Sequence, residues 1–196
     1  MTAIEQDQRA GRLYVISAPS GGGKTSLTRA VIDRLGESGR TARFSVSYTT
    51  RAARPGETEG RDYHFVSWDE FEAMIERGEF LEYARVFDRY YGTSAGETER
   101  WLAAGQDVVL DIDWQGAAQV RDRAPEAITI FIRPPSREEL ERRLRARGSE
   151  DETAIARRLA EADDELAHAD DYDYQIVNDC FEHALDELTS IFERTA

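Results

Sequence analysis

The chain has 196 residues, enough for one compact domain with a buried core and too few for two independent ones. Its composition, 40% hydrophobic and 33% charged, excludes a disordered or membrane-embedded chain, and no apolar run is long enough to cross a bilayer. A formal net charge of −14 argues against non-specific binding to nucleic acid, which needs a basic surface to displace counterions.

In chain order, Met1 to Arg12 is polar and lacks the apolar stretch of a secretory leader, so residues 1–12 read as a flexible tail and the expected compartment is the cytoplasm. Leu13 to Ser17 is a short apolar run before a glycine-rich turn, after which Leu27, Val31 and Leu35 recur every four residues. That is a strand, a loop and a helix. The loop, Ala18-Pro19-Ser20-Gly21-Gly22-Gly23-Lys24-Thr25, has the P-loop pattern with Ala at its first glycine. Small residues let successive backbone N–H groups point at phosphate oxygens, and the following helix adds the positive end of its dipole. Lys24 is placed for the outer phosphates of a nucleotide and Thr25 for Mg²⁺. By itself such a loop predicts only that a nucleotide polyphosphate binds.

Between Phe44 and Thr93 short alternating stretches of Tyr, Phe, Thr and Val surround one helix near Trp68 to Arg77, which reads as a small mixed sheet inserted into the chain. Capping-box spacings start helices at Ser67 with Glu70, Ser94 with Glu97 and Ser136 with Glu139, and glycines at 78, 105 and 148 suggest stops. Val108 to Leu110 runs into Asp111 and Asp113, two acids at the C-terminal edge of a strand, where open α/β sheets bind ligands. Either Asp could instead end the strand or cap the next helix. Ile128 to Ile132 and Gln175 to Val177 complete a set of near-continuous apolar strands alternating with helices, the mark of a parallel sheet covered on both faces.

Arg142 to Arg158, densely charged and broken by Gly148 and Ser149, reads as a mobile lid. Phe181, Leu185, Leu188 and Phe192 form one stripe of a final core helix. The lone Cys180 is expected as a buried free thiol, and His64, His168 and His183 lack metal-ligand spacing. So acidic a chain can hold phosphate only where arginines converge locally on one cleft.

Several further segments occur in a telling order: Ser45-Val46-Ser47-Tyr48-Thr49-Thr50-Arg51-Ala52-Ala53-Arg54-Pro55-Gly56-Glu57, then Gly60-Arg61-Asp62-Tyr63-His64-Phe65, Glu79-Phe80-Leu81-Glu82-Tyr83 and Tyr90-Tyr91-Gly92-Thr93. Leu110-Asp111-Ile112-Asp113 with Gln115-Gly116, and Ile176-Val177-Asn178-Asp179, continue the series. From Leu13 to the C-terminus the chain closely resembles the guanylate kinases. The resemblance implies an α/β fold: a P-loop parallel sheet core (13–43, 94–141 and 159–196) with helices on both faces, an inserted mixed-β GMP-binding subdomain (44–93) and a helical lid (142–158). It also implies ATP-dependent phosphorylation of GMP to GDP, with Mg²⁺ as cofactor and no nucleic acid or membrane as partner. Oligomeric state and dGMP use are left open.

Residue by residue, Arg51 and Arg54, with the hydroxyls of Tyr63 and Tyr91, match the groups that hold the acceptor phosphate. Glu82 matches the acceptor for guanine N1–H and the 2-amino group, Ser47 and Thr93 match hydroxyls that reach O6, and Asp113 is placed with this side. On the ATP side the P-loop is joined by Arg143, Arg147 and Arg158 of the lid and by Asn178 near the adenine. Thr25 and Asp111 are the metal residues, directly or through water, and Lys24, Arg51, Arg147 and Arg158 form the expected catalytic set. The chemistry agrees, since two guanidinium forks and two phenols suit a tetrahedral dianion. Adenine would leave the guanine-edge groups unpaired, a mismatch that can reach roughly 10⁴ to 10⁵ in rate ratio. A non-catalytic module of the same fold is disfavoured by the retained Lys24 and Thr25, and a sugar-phosphate kinase by Glu82 with Ser47 and Thr93.

Overall fold

The computed structural model describes residues 10–86, 88–146 and 151–195. The expected catalytic Arg147, the stop at Gly148 and the tail up to residue 9 lie outside the described residues. Nearer the core, the Gly11 N–H donates to the Leu102 carbonyl (2.8 Å) and the Arg12 N–H to Asp107 (2.9 Å), so this end of the expected tail is tied to a helix and to the sheet.

Strands β1 (Leu13–Ser17), β2 (Ala42–Phe44), β7 (Asp107–Asp111), β8 (Ile128–Arg133) and β9 (Tyr174–Val177) form a five-stranded sheet in the order β2-β7-β1-β8-β9, every pair parallel. The central strand β1 is buried on both faces, which is why its five residues carry no polar alternation. On one face, helices α1 (Lys24–Glu37) and α7 (Phe181–Arg194) contribute Leu27, Val31, Leu35, Leu188 and Phe192 to a core with Tyr14 and Ile16. On the other, α4 (Trp114–Arg123) packs Ala117 and Val120 against Val15, Leu110 and Phe131, flanked by Trp101 and Leu102 of α3 (Ala95–Ala103). The expected doubly covered parallel sheet is present.

The insertion folds as expected into a mixed sheet. Strands β3 (Tyr48–Thr49), β4 (His64–Phe65), β5 (Phe80–Val86) and β6 (Arg89–Ser94) run in the order β4-β3-β6-β5, with β3 and β4 parallel and the other pairs antiparallel. Its own core is Phe71 and Met74 of α2 (Trp68–Glu76) stacked on Phe80. Gly92 makes this possible: a Cβ there would lie 2.9 Å from Phe80 and 3.0 Å from Phe71, so only hydrogen lets the two rings lie flat on the strand. Helix α4 ties the two sheets together, since Gln119 bonds both main-chain groups of Tyr83 and Arg123 caps the carbonyls of Phe80 and Leu81.

All three expected serine caps accept the N–H three residues on, Ser67 from Glu70 (3.1 Å), Ser94 from Glu97 (3.3 Å) and Ser136 from Glu139 (3.2 Å). Gly78 and Gly105 adopt positive φ where their helices end. Helices α5 (Arg137–Ala146) and α6 (Glu152–Ala167) pack through Leu140, Leu144, Ile155 and Leu159. Two expectations fail at the start of α7. Phe181 is 40% exposed and outside the core stripe, and Cys180 is exposed as well. Both sit at the helix N-terminus, where the chain leaves β9 for the surface before Ala184 and Leu185 turn inward.

Candidate active site

The cradle is built by the join of β1 to α1. Ala18 and Pro19 are buried, the Gly22 N–H closes a turn on the Pro19 carbonyl (2.7 Å), and Gly21 and Gly23 take φ of +95° and +92°. Those angles need glycine. Gly23 is the N-cap of α1 without a side-chain cap, and the first turn holds no acid, so the helix presents open N–H groups and positive dipole to whatever enters. Around this loop lies a cleft of about 940 Å³ that also takes in Arg54, Tyr63, Asp111 and Arg158.

Parallel register sets Asp111 beside Ile16 at the end of β1, so the strand edge delivers its carboxylate to the cradle. Asp111 accepts from the Thr25 hydroxyl (2.8 Å) and pairs with the Lys24 ammonium (2.7 Å), which also donates to the Ile112 carbonyl (2.9 Å). Burial pulls the Lys24 ammonium down, but the charges of Asp111, Glu165 and Asp113 more than offset it and hold its pKa above the ordinary lysine value. Asp113 lines the neighbouring cleft and caps α4 by accepting from the Gly116 N–H (2.9 Å). Among the described residues no group of three or more His, Cys, Asp or Glu gathers as a metal site. Thr25 and Asp111 still offer the hydroxyl and carboxylate oxygens that suit a hard cation whose remaining ligands are water and phosphate.

The second cleft, about 580 Å³, opens between the two sheets and is lined by Ser47, Tyr63, Glu82, Tyr91, Asp111 and Asp113 among others. Tyr63 and Asp111 border both clefts, so the two are contiguous. Glu82 is 3% exposed on β5 and has the partner its apolar strand demanded: Thr93, opposite it on β6, donates its hydroxyl to Oε1 (2.6 Å). Burial pushes the Glu82 carboxyl up to about 7, with the Thr93 hydrogen bond pulling back. Thr93, expected beside guanine O6, is thus fully buried and turned to Glu82, while Ser47 remains on the cleft wall.

Arg51 does not stand open. Its guanidinium forks onto Glu57 (2.9 and 2.8 Å) above the ring of Tyr63, and its pKa is raised, chiefly by that hydrogen bonding. Glu57 also accepts from the Arg54 N–H (2.7 Å), so one carboxylate organises the loop that carries both arginines. Tyr91 meets Tyr63 edge to face at 5.8 Å.

From α6, Arg158 donates to the Ser20 hydroxyl (2.6 Å). Arg143 is held by Glu139 (2.8 Å) and donates to the Asn178 carbonyl (2.9 Å). Asn178 is buried, and its side chain donates to the Gly22 carbonyl (2.8 Å), under the cradle. Of the arginines expected to converge, Arg54 and Arg158 line the first cleft, while Arg51 is held in the adjoining loop by Glu57 and Arg143 by Glu139 and the Asn178 carbonyl.

Sequence reasoning missed three contributors. Gly116 lets Glu82 in, since a Cβ there would lie 2.3 Å from Glu82 Oε2. Its place in the Gln115-Gly116 pair was the available signal. Glu57 ends the 45–57 motif, and nothing in its local spacing shows that it braces Arg51 and the Arg54 N–H. Glu165 sends a carboxylate towards Lys24, and burial lifts it to about 7 with its Oε2 unbonded. Nothing local in α6 marks it out.

A cleft lined by Glu82 thus adjoins the cleft around the glycine-rich loop. The family model for guanylate kinases matches residues 10–195. The chain is 55% identical to a guanylate kinase of Chromohalobacter salexigens over 186 residues, covering 95% of this chain and 85% of that one. It is 54% identical to the Salmonella choleraesuis guanylate kinase over 92% of this chain and 86% of that one. The crystal structure of guanylate kinase from Anaplasma phagocytophilum superposes with a TM-score of 0.78 at 34% identity, covering 95% of this chain and 87% of that one. On the length and level of that likeness, the chain belongs to the guanylate kinase family.

Proposed function

We propose that the chain transfers the γ-phosphoryl group of ATP to GMP, with the cradle as donor site and the second cleft as acceptor site. The observation that carries this reading is the buried Glu82 on the wall of a cleft contiguous with a P-loop. Its carboxylate accepts from guanine N1–H and the 2-amino group, held in place by Thr93, and Ser47 donates to O6. Adenine offers neither donor at those positions. On this reading residues 44–93 form the GMP-binding part, residues 142–158 the lid, and residues 13–43, 94–141 and 159–196 the core.

The acceptor phosphate lies between Arg51, Arg54, Tyr63 and Tyr91, with Glu57 setting the Arg51 fork beforehand. This phosphate is already an anionic nucleophile, so no general base is required. Catalysis reduces to alignment and charge compensation. The cradle amides and Lys24 hold the donor phosphates, the ammonium exchanging Asp111 for phosphate oxygens, while Arg143 and Arg158 add positive charge from the lid side. Thr25 and Asp111 would hold Mg²⁺, directly or through water, and the ion would supply neutralisation of charge on the donor phosphates. Closure of the lid excludes water that would otherwise accept the phosphoryl group.

The test is a coupled ADP-release assay with Mg-ATP across a panel of nucleoside monophosphates. GMP is expected to be converted and AMP to be a poor substrate. Equal rates on AMP, or no activity on GMP, would sink the reading.

A further inference from the structure

Asn178 follows β9 and is 5% exposed. Its polar groups engage three separate parts of the fold: its N–H donates to the Arg133 carbonyl at the end of β8 (2.8 Å), its carbonyl accepts from Arg143 of α5 (2.9 Å), and its side-chain amide donates to the Gly22 carbonyl (2.8 Å). The last contact has a geometric consequence. A trans peptide is planar and its C=O and N–H point to opposite sides. The described residues contain no cis peptide, so drawing the Gly22 carbonyl towards Asn178 turns the Gly23 N–H the other way. Gly23 is the uncapped N-cap of α1, where an open N–H can meet an anion.

The fit between loop and side chain is tight. A Cβ on Gly23 would lie 2.4 Å from the Asn178 amide nitrogen, so the glycine is required by its neighbour as well as by its φ of +92°. Helix α5 rests on the same loop, with Leu140 and Leu144 methyl groups 3.0 and 3.2 Å from the Cβ position of Gly21.

We propose that Asn178 is a positioning residue that locks the Gly22–Gly23 peptide so that its N–H faces the donor polyphosphate, and that Arg143 fastens helix α5 to that same residue. On this account Asn178 acts on the phosphates through the main chain and does not read the adenine base. The inference rests on the cradle being the donor site.

The experiment compares wild type, Asn178→Ala and Asn178→Asp by calorimetric binding of ATP, inorganic tripolyphosphate and GMP, with thermal unfolding in parallel. Both ATP and tripolyphosphate are expected to weaken by the same factor, about 10-fold to 100-fold in Asn178→Ala, while GMP affinity stays within about twofold. Asn178→Asp, which keeps the shape but sets an oxygen against the Gly22 carbonyl, should weaken both at least as much. If Asn178→Ala unfolds, the isosteric Asp variant decides the matter by the same comparison. A loss confined to ATP, with tripolyphosphate unaffected, would assign Asn178 to the base and overturn the inference, as would equal losses for all three ligands or undiminished ATP affinity in both variants. Failure of the wild type to bind ATP and tripolyphosphate would instead remove the donor-site reading on which it stands.

Discussion

Replacing Glu82 with Gln should stabilise the empty protein above neutral pH while removing most of its hold on GMP. Burial raises the folded carboxyl from its ordinary 4.5 to about 7, only partly opposed by the Thr93 hydroxyl. Because the folded state binds this proton more tightly than the unfolded state, the folded state is favoured while Glu82 is protonated. Stability then falls as pH climbs from 4.5 to about 7. The gap corresponds to ~3 kcal/mol withheld above pH 7. Gln is neutral at every pH and still accepts from Thr93, so Glu82→Gln should recover about 1–3 kcal/mol at pH 8, or about 2–10 °C in Tm for a chain of this length. At pH 4, where Glu82 is protonated in both states, the gain should vanish. The same variant turns an NH₂ towards the guanine donors, so GMP affinity should fall about 100-fold or more with ATP affinity unchanged. Thermal unfolding at pH 4 and pH 8, with calorimetry at pH 8, measures both effects. Equal Tm increments at the two pH values, or unaltered GMP affinity, would refute the assignment of Glu82 as a strained, base-reading carboxylate.

Three further outcomes follow from distances in the clefts. Gly116→Ala drives a methyl to within 2.3 Å of Glu82 Oε2 and should raise the KM for GMP by about 10-fold or more, leaving the KM for ATP in place. Unchanged GMP kinetics would mean that Glu82 does not need its present seat. Arg51→Lys keeps the charge but loses the planar fork now made to Glu57, so kcat/KM for GMP should drop by roughly 100-fold in steady-state assays. A drop below about threefold would show that a point charge suffices. Lys24→Met removes the ammonium from the cradle, and single-turnover rates should fall by about 10²-fold to 10³-fold at saturating substrates. Retained rates would place the donor phosphates elsewhere.

The parallel core was largely legible in the sequence because its signals are local. The unbroken apolar stretch of Leu13 to Ser17, the four-residue spacing of Leu27, Val31 and Leu35, and the three serine caps each depend on neighbours within a turn or a strand. Phe181 misled for the same reason: its spacing matched a buried stripe, but burial depends on where the chain emerges from the sheet, and there it emerges at the surface. Cys180 failed beside it, since residue type alone favours burial and position overruled it.

For the site, the resemblance to the guanylate kinases pointed to most of the groups that line the two clefts, but the contact each one makes was decided by packing. Thr93 looked like a base-reading hydroxyl until the pairing of β5 with β6 set it against Glu82. Glu57 was one acid among many until the loop brought its two oxygens to the fork of Arg51.

The sequence by itself determined the glycine-rich loop between β1 and α1, the alternation that makes a parallel sheet, and the ordered motifs by which the chain resembles the guanylate kinases. Tertiary structure alone decided that Asn178 supports Gly22 across 156 positions, that Glu165 lies near Lys24, and that Gly116 opens the seat for Glu82. The physical reason is range. Caps, turns and periodicity are set by side chains a few residues apart, while these contacts exist only after the order β2-β7-β1-β8-β9 has brought distant strand ends to one edge.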